Sequence, residues 1–271
     1  MKMLKMIMFI GMIVSVDVLY GQNAEEMVFE KLTLDIPIND IGSFIESHKK
    51  IMDISMQSGT RTMVGQYVAA HRYSGKNTIT LYNVYESVED IYQDDLWSGI
   101  RAHADSLGNI DTMLVNEFSS MVGTWWSMFL EGHNDEIRTL RTNGFGNGDW
   151  EKPMVLVVSY YTPKWAEMND FVELWEQLQP AYEQCGYAQM SRVSTHYSGS
   201  GPTVESITGF KSWEDLAKWE ANYQQCFEEH VENNTELSRE YWDMAGDHWD
   251  EILIPVGQTK DQEFVLSEFF K

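Results

Sequence analysis

Apolar and polar positions alternate along this chain first with the short period of strands, then with the longer period of helices. Val28–Ile36 is a strand-like start, and Ile41, Phe44, Ile45, His48 and Met52 then recur at helical spacing. Val64–Tyr73 and Thr78–Tyr85 read as two strands about Ser74-Gly75-Lys76-Asn77, a hairpin signal. Val88–Leu107 reads as one helix, with Ser87 as its cap and Asp90 three residues on. A further helix over Met113–Phe129 and a strand over Glu136–Arg141 follow. The pattern then starts again. Met154–Tyr161 reads as a strand, and Trp165, Met168, Phe171, Trp175, Leu178, Tyr182 and Cys185 form one helical stripe, which Pro180 is expected to kink or end. Gln189–Tyr197 and Thr203–Phe210 pair across Ser198-Gly199-Ser200-Gly201-Pro202; helices over Trp213–Cys226 and Thr235–His248 and a strand over Glu251–Val256 complete the series.

The second series is a copy of the first. Tyr73-Ser74-Gly75 matches Tyr197-Ser198-Gly199, and Tyr85-Glu86-Ser87 matches Phe210-Lys211-Ser212. Phe44-Ile45-Glu46 matches Phe171-Val172-Glu173, and His133-Asn134-Asp135-Glu136-Ile137 matches His248-Trp249-Asp250-Glu251-Ile252. Four matches in the same order imply an internal duplication. Each copy reads as strand, helix, strand, strand, helix, strand. The fold class is therefore α+β, with two tandem ferredoxin-like units whose four-stranded antiparallel sheets face each other. A sheet with helices on one face needs cover on the other, and a second copy supplies it. The Gly-rich stretch 143–152 reads as the linker between units 22–142 and 153–258, with 259–271 as a C-terminal tail. It precedes a strand, so it is not a dinucleotide-binding loop.

The N-terminus changes the picture. Lys2 and Lys5 precede an apolar run from Met6 to Val16 that is too short to span a bilayer, and Gly21 is a plausible cleavage point. Residues 1–21 read as a signal peptide, which implies export to a periplasm or the exterior, with no membrane insertion after its removal. Nineteen basic against 42 acidic residues give a net charge of −23. That field repels phosphate backbones, so no nucleic acid is expected as partner. Cys185 and Cys226 are the two cysteines, and export would allow them to pair; the sequence leaves the pairing open.

Hairpin, aromatic and capped helix follow one another in Asn83-Val84-Tyr85-Glu86-Ser87-Val88-Glu89-Asp90 and in Thr208-Gly209-Phe210-Lys211-Ser212-Trp213-Glu214-Asp215. This arrangement resembles the dimeric α+β barrel superfamily, which includes the antibiotic-biosynthesis monooxygenase-like, stress-responsive and NIPSNAP-like proteins. The resemblance implies that one chain builds the pseudo-dimer by itself, as a monomer, and encloses a cavity for a small organic molecule. It implies activities ranging from cofactor-free oxygenation to haem chemistry, and leaves the cofactor open. Many such relatives carry a His late in the second helix; the stretches near Asp94 and Trp219 hold none.

Strand alternation nominates the cavity face. Val68, Ala70 and Arg72 share one face, aligned with Arg192, Ser194 and His196. The opposite sets, Tyr67, Ala69, His71, Tyr73 and Ser191, Val193, Thr195, Tyr197, are assigned to the helix side. Arg72 and Arg192 would then clamp an anionic group, and His196 would act as acid or base. Asn83 and Thr208 occupy matched strand positions, where the resemblance implies a cavity-facing polar contact. The repeated His-x-Asp at His133 and His248 reads as a structural turn, because a metal would need more converging ligands. Two rivals to simple binding stand beside it: an enzyme of the same barrel, either cofactor-independent oxygenase or haem protein, and a non-catalytic interaction protein of the cell envelope.

Overall fold

The computed structural model describes residues 27–71, 79–130, 134–141 and 154–271. The signal segment 1–21, the linker 143–152, Arg72 and His133 lie outside them. Strands β1 (Val28–Leu34), β2 (Gly65–His71), β3 (Ile79–Tyr85) and β4 (Asn134–Leu140) form the first sheet, in the order β2-β3-β1-β4. Strands β5 (Val155–Tyr161), β6 (Ala188–Gly199), β7 (Val204–Phe210) and β8 (His248–Lys260) repeat it as β6-β7-β5-β8. The two sheets do more than face each other. β4 pairs with β6, and β2 pairs with β8, so eight antiparallel strands close into a barrel with no free edge between the copies.

Helices cover the outside. In the first unit these are α1 (Ile41–Gln57), α2 (Val88–Gln93), α3 (Leu96–Gly108) and α4 (Thr112–Leu130); in the second, α5 (Met168–Gln184), α6 (Trp213–His230) and α7 (Asn234–Met244). α1 buries Phe44, Ile45, His48, Ile51, Met52 and Ser55, the stripe its spacing predicts. Ser87 caps α2 by accepting from Asp90 N, and Ser212 caps α6 by accepting from Asp215 N, so the cap is preserved in both copies. α5 runs past Pro180 to Gln184.

Two departures bear on the site. The helix expected over Val88–Leu107 is broken at Asp94-Asp95. Asp94 turns its carboxylate to the Thr62 N–H (2.9 Å) and to Arg61, and Asp95 caps the new helix by accepting from Ser98 N (2.8 Å). The stretch set apart as a tail is a hairpin: β9 (Glu263–Leu266) folds back on β8, and fully buried Phe264 enters the core of the first unit. Lys49 Nζ donates to Phe264 O (2.7 Å), and Phe264 N donates to Asp53 (2.6 Å). The second copy thereby straps α1 of the first.

The barrel lumen is packed. Phe29, Tyr82, Val84, Leu140, Met154, Leu156, Tyr160, Met190, Ile207 and Leu253 fill it, as expected for eight strands, whose interior is just wide enough for side chains. A Cβ added at Gly209 would lie 2.5 Å from the Met154 sulfur and 2.8 Å from Met190 Cγ, so the lumen has no room even for a methyl group there. One end of the lumen is ionic. Buried Lys31 pairs with Glu205 and lies 3.4 Å from Glu136, and Arg138 donates to Glu136 at 2.9 Å. Burial opposes the Lys31 charge, but Glu205 and Glu136 more than restore it and raise its value above the ordinary lysine range. Lys31 belongs to β1 and Glu205 to β7, so this network ties the two copies together.

Candidate functional site

The structure separates the residues nominated from sequence. In β6 the face assignment holds: Arg192 pairs across the ladder with lumen-facing Ile207, and Ser194 with Glu205. In β2 it is reversed. Val68 and Ala70 pack in the helix-side core, while Tyr67 and Ala69 face the lumen. The reason is register: Tyr67 lies opposite Tyr82, and Arg192 opposite Ile207, so Tyr67 and Arg192 are the true counterparts. The Tyr-Ser-Gly match is one residue out of step with the ladder, and one residue exchanges the two faces. Arg192 is buried and donates to Ser191 O (2.6 Å). His196 sits 3.6 Å from Glu136 at the ionic end; burial, then Arg138, lowers its proton affinity. Arg192 and His196 therefore line a filled lumen. Asn83 and Thr208 lie on the other face of the sheet, towards the helices, as do their core-facing strand neighbours Leu81, Tyr85 and Phe210.

That outer face carries the candidate site. Between the first sheet and its helices lies a partly enclosed cavity of about 250 Å³. Strand residues Glu30, Leu32, Gln66, Leu81, Asn83 and Tyr85 form its floor. His48 and Met52 of α1, Leu96 of α3, and Trp125, Trp126 and Phe129 of α4 form its walls, with Arg61, Asp94 and Asp135 at the side. A larger, shallower groove of about 570 Å³ crosses α1, α3 and α4 at Lys50, His103, Leu114 and Met121. Of its charged groups, Lys50 and Asp53 stand on α1 and Glu117 on α4, and Asp53 is engaged by Lys49 and the Phe264 N–H.

The polar groups of the smaller cavity form one hydrogen-bonded file. Trp125 Nε1 donates to His48 Nδ1 (3.2 Å), and His48 Nε2 meets Gln66 Oε1 (2.7 Å). Gln66 Nε2 donates to Asn83 Oδ1 (2.7 Å), and Asn83 Nδ2 donates to Glu30 Oε2 (2.9 Å). Burial holds His48 neutral, pushing its value down to about 4. Burial also raises the proton affinity of Glu30; Asp135 and Asp94 push the same way, against the Asn83 hydrogen bond and Arg61. Arg61 grips Asp94 through Nε (2.8 Å) and Nη2 (2.7 Å), and Tyr85 donates to the same carboxylate (3.2 Å). A half-buried carboxylate with raised proton affinity, facing a cavity walled by aromatic rings, is a better proton acceptor for a bound molecule than a solvated one.

The second copy lacks this file. Asn83 lies between Glu30 and Gln66 in the sheet, and the corresponding Thr208 lies between Val157 and Ser191. His48 follows Phe44 by four residues; the matched Phe171 is followed by Trp175, which is 1% exposed and fills the helix side. The first copy keeps an acid, an imidazole and two amides in file, and the second has Val157, Trp175 and a Ser191–Thr208 hydroxyl pair (3.1 Å) at the same positions. Glu30, His48 and Gln66 escaped the sequence reading, yet the Phe44/Phe171 match already set His48 opposite Trp175.

No family model matches the sequence, and no curated protein matches it. Solved structures do match. A candidate monooxygenase from Fusobacterium nucleatum aligns over 90% of this chain and 99% of its own, at a TM-score of 0.55 and 7% identity. The chain has the dimeric α+β barrel fold. An anthrone oxidase-like protein matches the barrel over 90% of this chain and 96% of its own (TM-score 0.53, 14% identity). A candidate monooxygenase from Lactobacillus acidophilus matches over 90% of this chain and 100% of its own (TM-score 0.52, 12% identity). At these identities the likeness concerns the barrel alone, and the site must be argued from its own residues.

The cavity offers a haem no free imidazole. A haem would need an axial ligand, and His48, the imidazole among the lining residues, has both nitrogens engaged by Trp125 and Gln66. Among the described residues no three His, Cys, Asp or Glu side chains converge as a metal site. His248 bonds Asp250 (3.0 Å), but both belong to strand β8 rather than to a turn before it, and His133 lies outside the described residues. Trp125, Trp175 and Trp219 are buried, whereas Trp165, Trp242 and Trp249 stay about half exposed.

Proposed function

We propose that the first-unit cavity binds a small, largely apolar ring compound bearing a hydroxyl group, and that Glu30 accepts the hydroxyl proton. The observation that carries this reading is the polar file ending on Glu30, present in one copy and replaced as a set in the other. Leu32, Leu81, Trp126 and Phe129 offer apolar surface to a ring, and Glu30 offers one oriented acceptor. The lumen residues Arg192 and His196 then serve the barrel rather than the ligand, and Thr208 pairs with Ser191 in the second copy. Asn83 remains a site residue, through Glu30.

The test is ligand-observed NMR with a set of one- and two-ring hydroxylated aromatics against three proteins. The reading expects compounds that bind the parent protein, lose binding in the cavity-filling Leu32→Trp variant, and weaken about tenfold or more in Glu30→Gln. Compounds that bind all three equally would overturn it.

The same proton acceptor favours a second reading, cofactor-independent oxygenation. A ring compound deprotonated by Glu30 is electron-rich and can pass electrons to dioxygen. The fold neighbours named as monooxygenases and as anthrone oxidase-like support looking for it. Oxygen consumption with each binding compound tests it, and consumption unaffected by Glu30→Gln would count against it.

We also infer export of a monomeric pseudo-dimer. The basic-then-apolar N-terminus supports export, as does the pairing of Cys185 with Cys226, whose Cα atoms are 6.0 Å apart. No described helix is long and apolar enough to cross a membrane. Intact-mass measurement on protein from cell fractions tests export; a cytoplasmic product that retains Met1–Gly21 would refute it.

A further inference from the structure

The polar file beside the cavity has a direction, and its direction is set far from Glu30. An indole N–H can only donate, so Trp125 obliges His48 Nδ1 to accept. A neutral imidazole then carries its proton on Nε2 and donates to Gln66 Oε1. This turns the Gln66 amino group to Asn83 Oδ1, and the Asn83 amino group to Glu30 Oε2. The His48 ring is 2% exposed, stacked on Phe44 (5.4 Å) and edge-on to Phe264 (5.4 Å), so packing holds it in place.

We propose that His48 is a positioning residue: acting through Gln66, it fixes the Asn83 amide with its N–H towards Glu30 and so sets how tightly Glu30 holds a proton. Without the Nε2 proton, Gln66 is free to turn over and offer its carbonyl to Asn83. Asn83 would then present its own carbonyl to Glu30, which only a protonated carboxyl can satisfy. The file therefore favours the ionised, proton-accepting form. The other groups acting on Glu30 are Asp135 on β4, Asp94 after α2, Arg61 before β2 and Tyr85 on β3. Asp135 and Asp94 favour the proton and Arg61 opposes it, so Asn83 and Arg61 are what keep the acid within reach of ionisation. In the second copy Val157, Trp175, Ser191 and Thr208 replace acid and file together. The phenylalanine that closes over His48 comes from the β8–β9 hairpin, so the second copy also helps build the site of the first.

The proposal rests on the reading of Glu30 as proton acceptor, but its test needs no ligand. Glutamate labelled at the carboxyl carbon is incorporated, the Glu30 resonance is assigned by its loss in Glu30→Gln, and its titration is followed by NMR. Asn83→Leu and His48→Phe should each move the Glu30 titration upward by about one pH unit or more, the worth of a hydrogen bond to a charge. The double variant should move it no further than Asn83→Leu alone, because His48 acts through Asn83. An unmoved titration in folded His48→Phe, or a double variant showing the sum of the two shifts, would overturn the proposal. If His48→Phe does not fold, Gln66→Leu, which leaves α1 untouched, is read by the same criteria. A failed ligand screen with the expected titrations would sink the binding reading and leave the file intact; the converse outcome would do the reverse.

Discussion

Acid should unfold this protein through His48. The imidazole is buried among Phe44, Trp125 and Phe264 and is held neutral from its ordinary 6.5 down to about 4. The unfolded chain takes up this proton near 6.5, and the folded chain does not until about 4. The folded value is depressed, so the contribution is complete above about pH 6.5 and is lost as pH falls towards 4. Its size is about 3 kcal/mol, a large part of the 5–15 kcal/mol typical of a folded domain. Protonation would also set two donors, Trp125 Nε1 and the new Nδ1–H, against each other. The assay is urea unfolding at pH 7, 5.5 and 4, followed by tryptophan fluorescence, for the parent and His48→Phe. At pH 7 the variant should be weaker by about 1–3 kcal/mol, because Trp125 and Gln66 lose a buried partner. By pH 4 that deficit should shrink by about 3 kcal/mol and can change sign. Parallel pH curves for the two proteins would show that His48 is not held neutral by burial.

Three further outcomes follow from the same structure. Reducing the Cys185–Cys226 bridge, which joins residues 41 apart, should cost about 4 kcal/mol by loop-closure entropy; equal denaturation midpoints with and without reductant would refute the pairing. Lys31→Met leaves buried Glu205 without its cation, while Arg138 still pairs with Glu136, and should cost about 3–5 kcal/mol in chemical denaturation, with part regained when Glu205→Gln is added; a neutral Lys31→Met would mean that water reaches this end of the barrel. Glu30 has a raised value in the folded state, so its charge weakens the fold at high pH and the penalty vanishes once pH falls below about 4.5. Glu30→Gln should therefore raise the melting temperature at pH 8 and leave it unchanged at pH 4; a uniform shift across pH would contradict the assignment.

The duplication was legible because both copies keep the residues that local structure demands. Ser87-x-x-Asp90 and Ser212-x-x-Asp215 cap equivalent helices, and Phe44 and Phe171 anchor equivalent stripes. The faces of β2 were not legible. A barrel strand covered by helices outside and side chains inside has two apolar faces, so alternation does not say which is which. The Tyr-Ser-Gly match then set the register one residue wrong, and every assignment on that strand inverted. The helix break at Asp94-Asp95 depends on Arg61 and the Thr62 N–H, some thirty residues away, and no local pattern announces it. The site itself was legible in outline. Comparing the copies rather than seeking their similarities sets Glu30 opposite Val157, and His48 opposite Trp175, and a duplicated fold reveals its function where its halves differ.

The most direct test of the central claim is a crystal structure of the protein with the tightest-binding aromatic from the NMR set. The account predicts one molecule per chain between Glu30, Trp126 and Phe129, with its hydroxyl group donating to the Glu30 carboxylate. The positions around Trp175 and Thr208 should stay closed. A ligand in the barrel lumen near Arg192 and His196, or on the groove between Lys50 and Met121 with the Glu30 cavity empty, would contradict it.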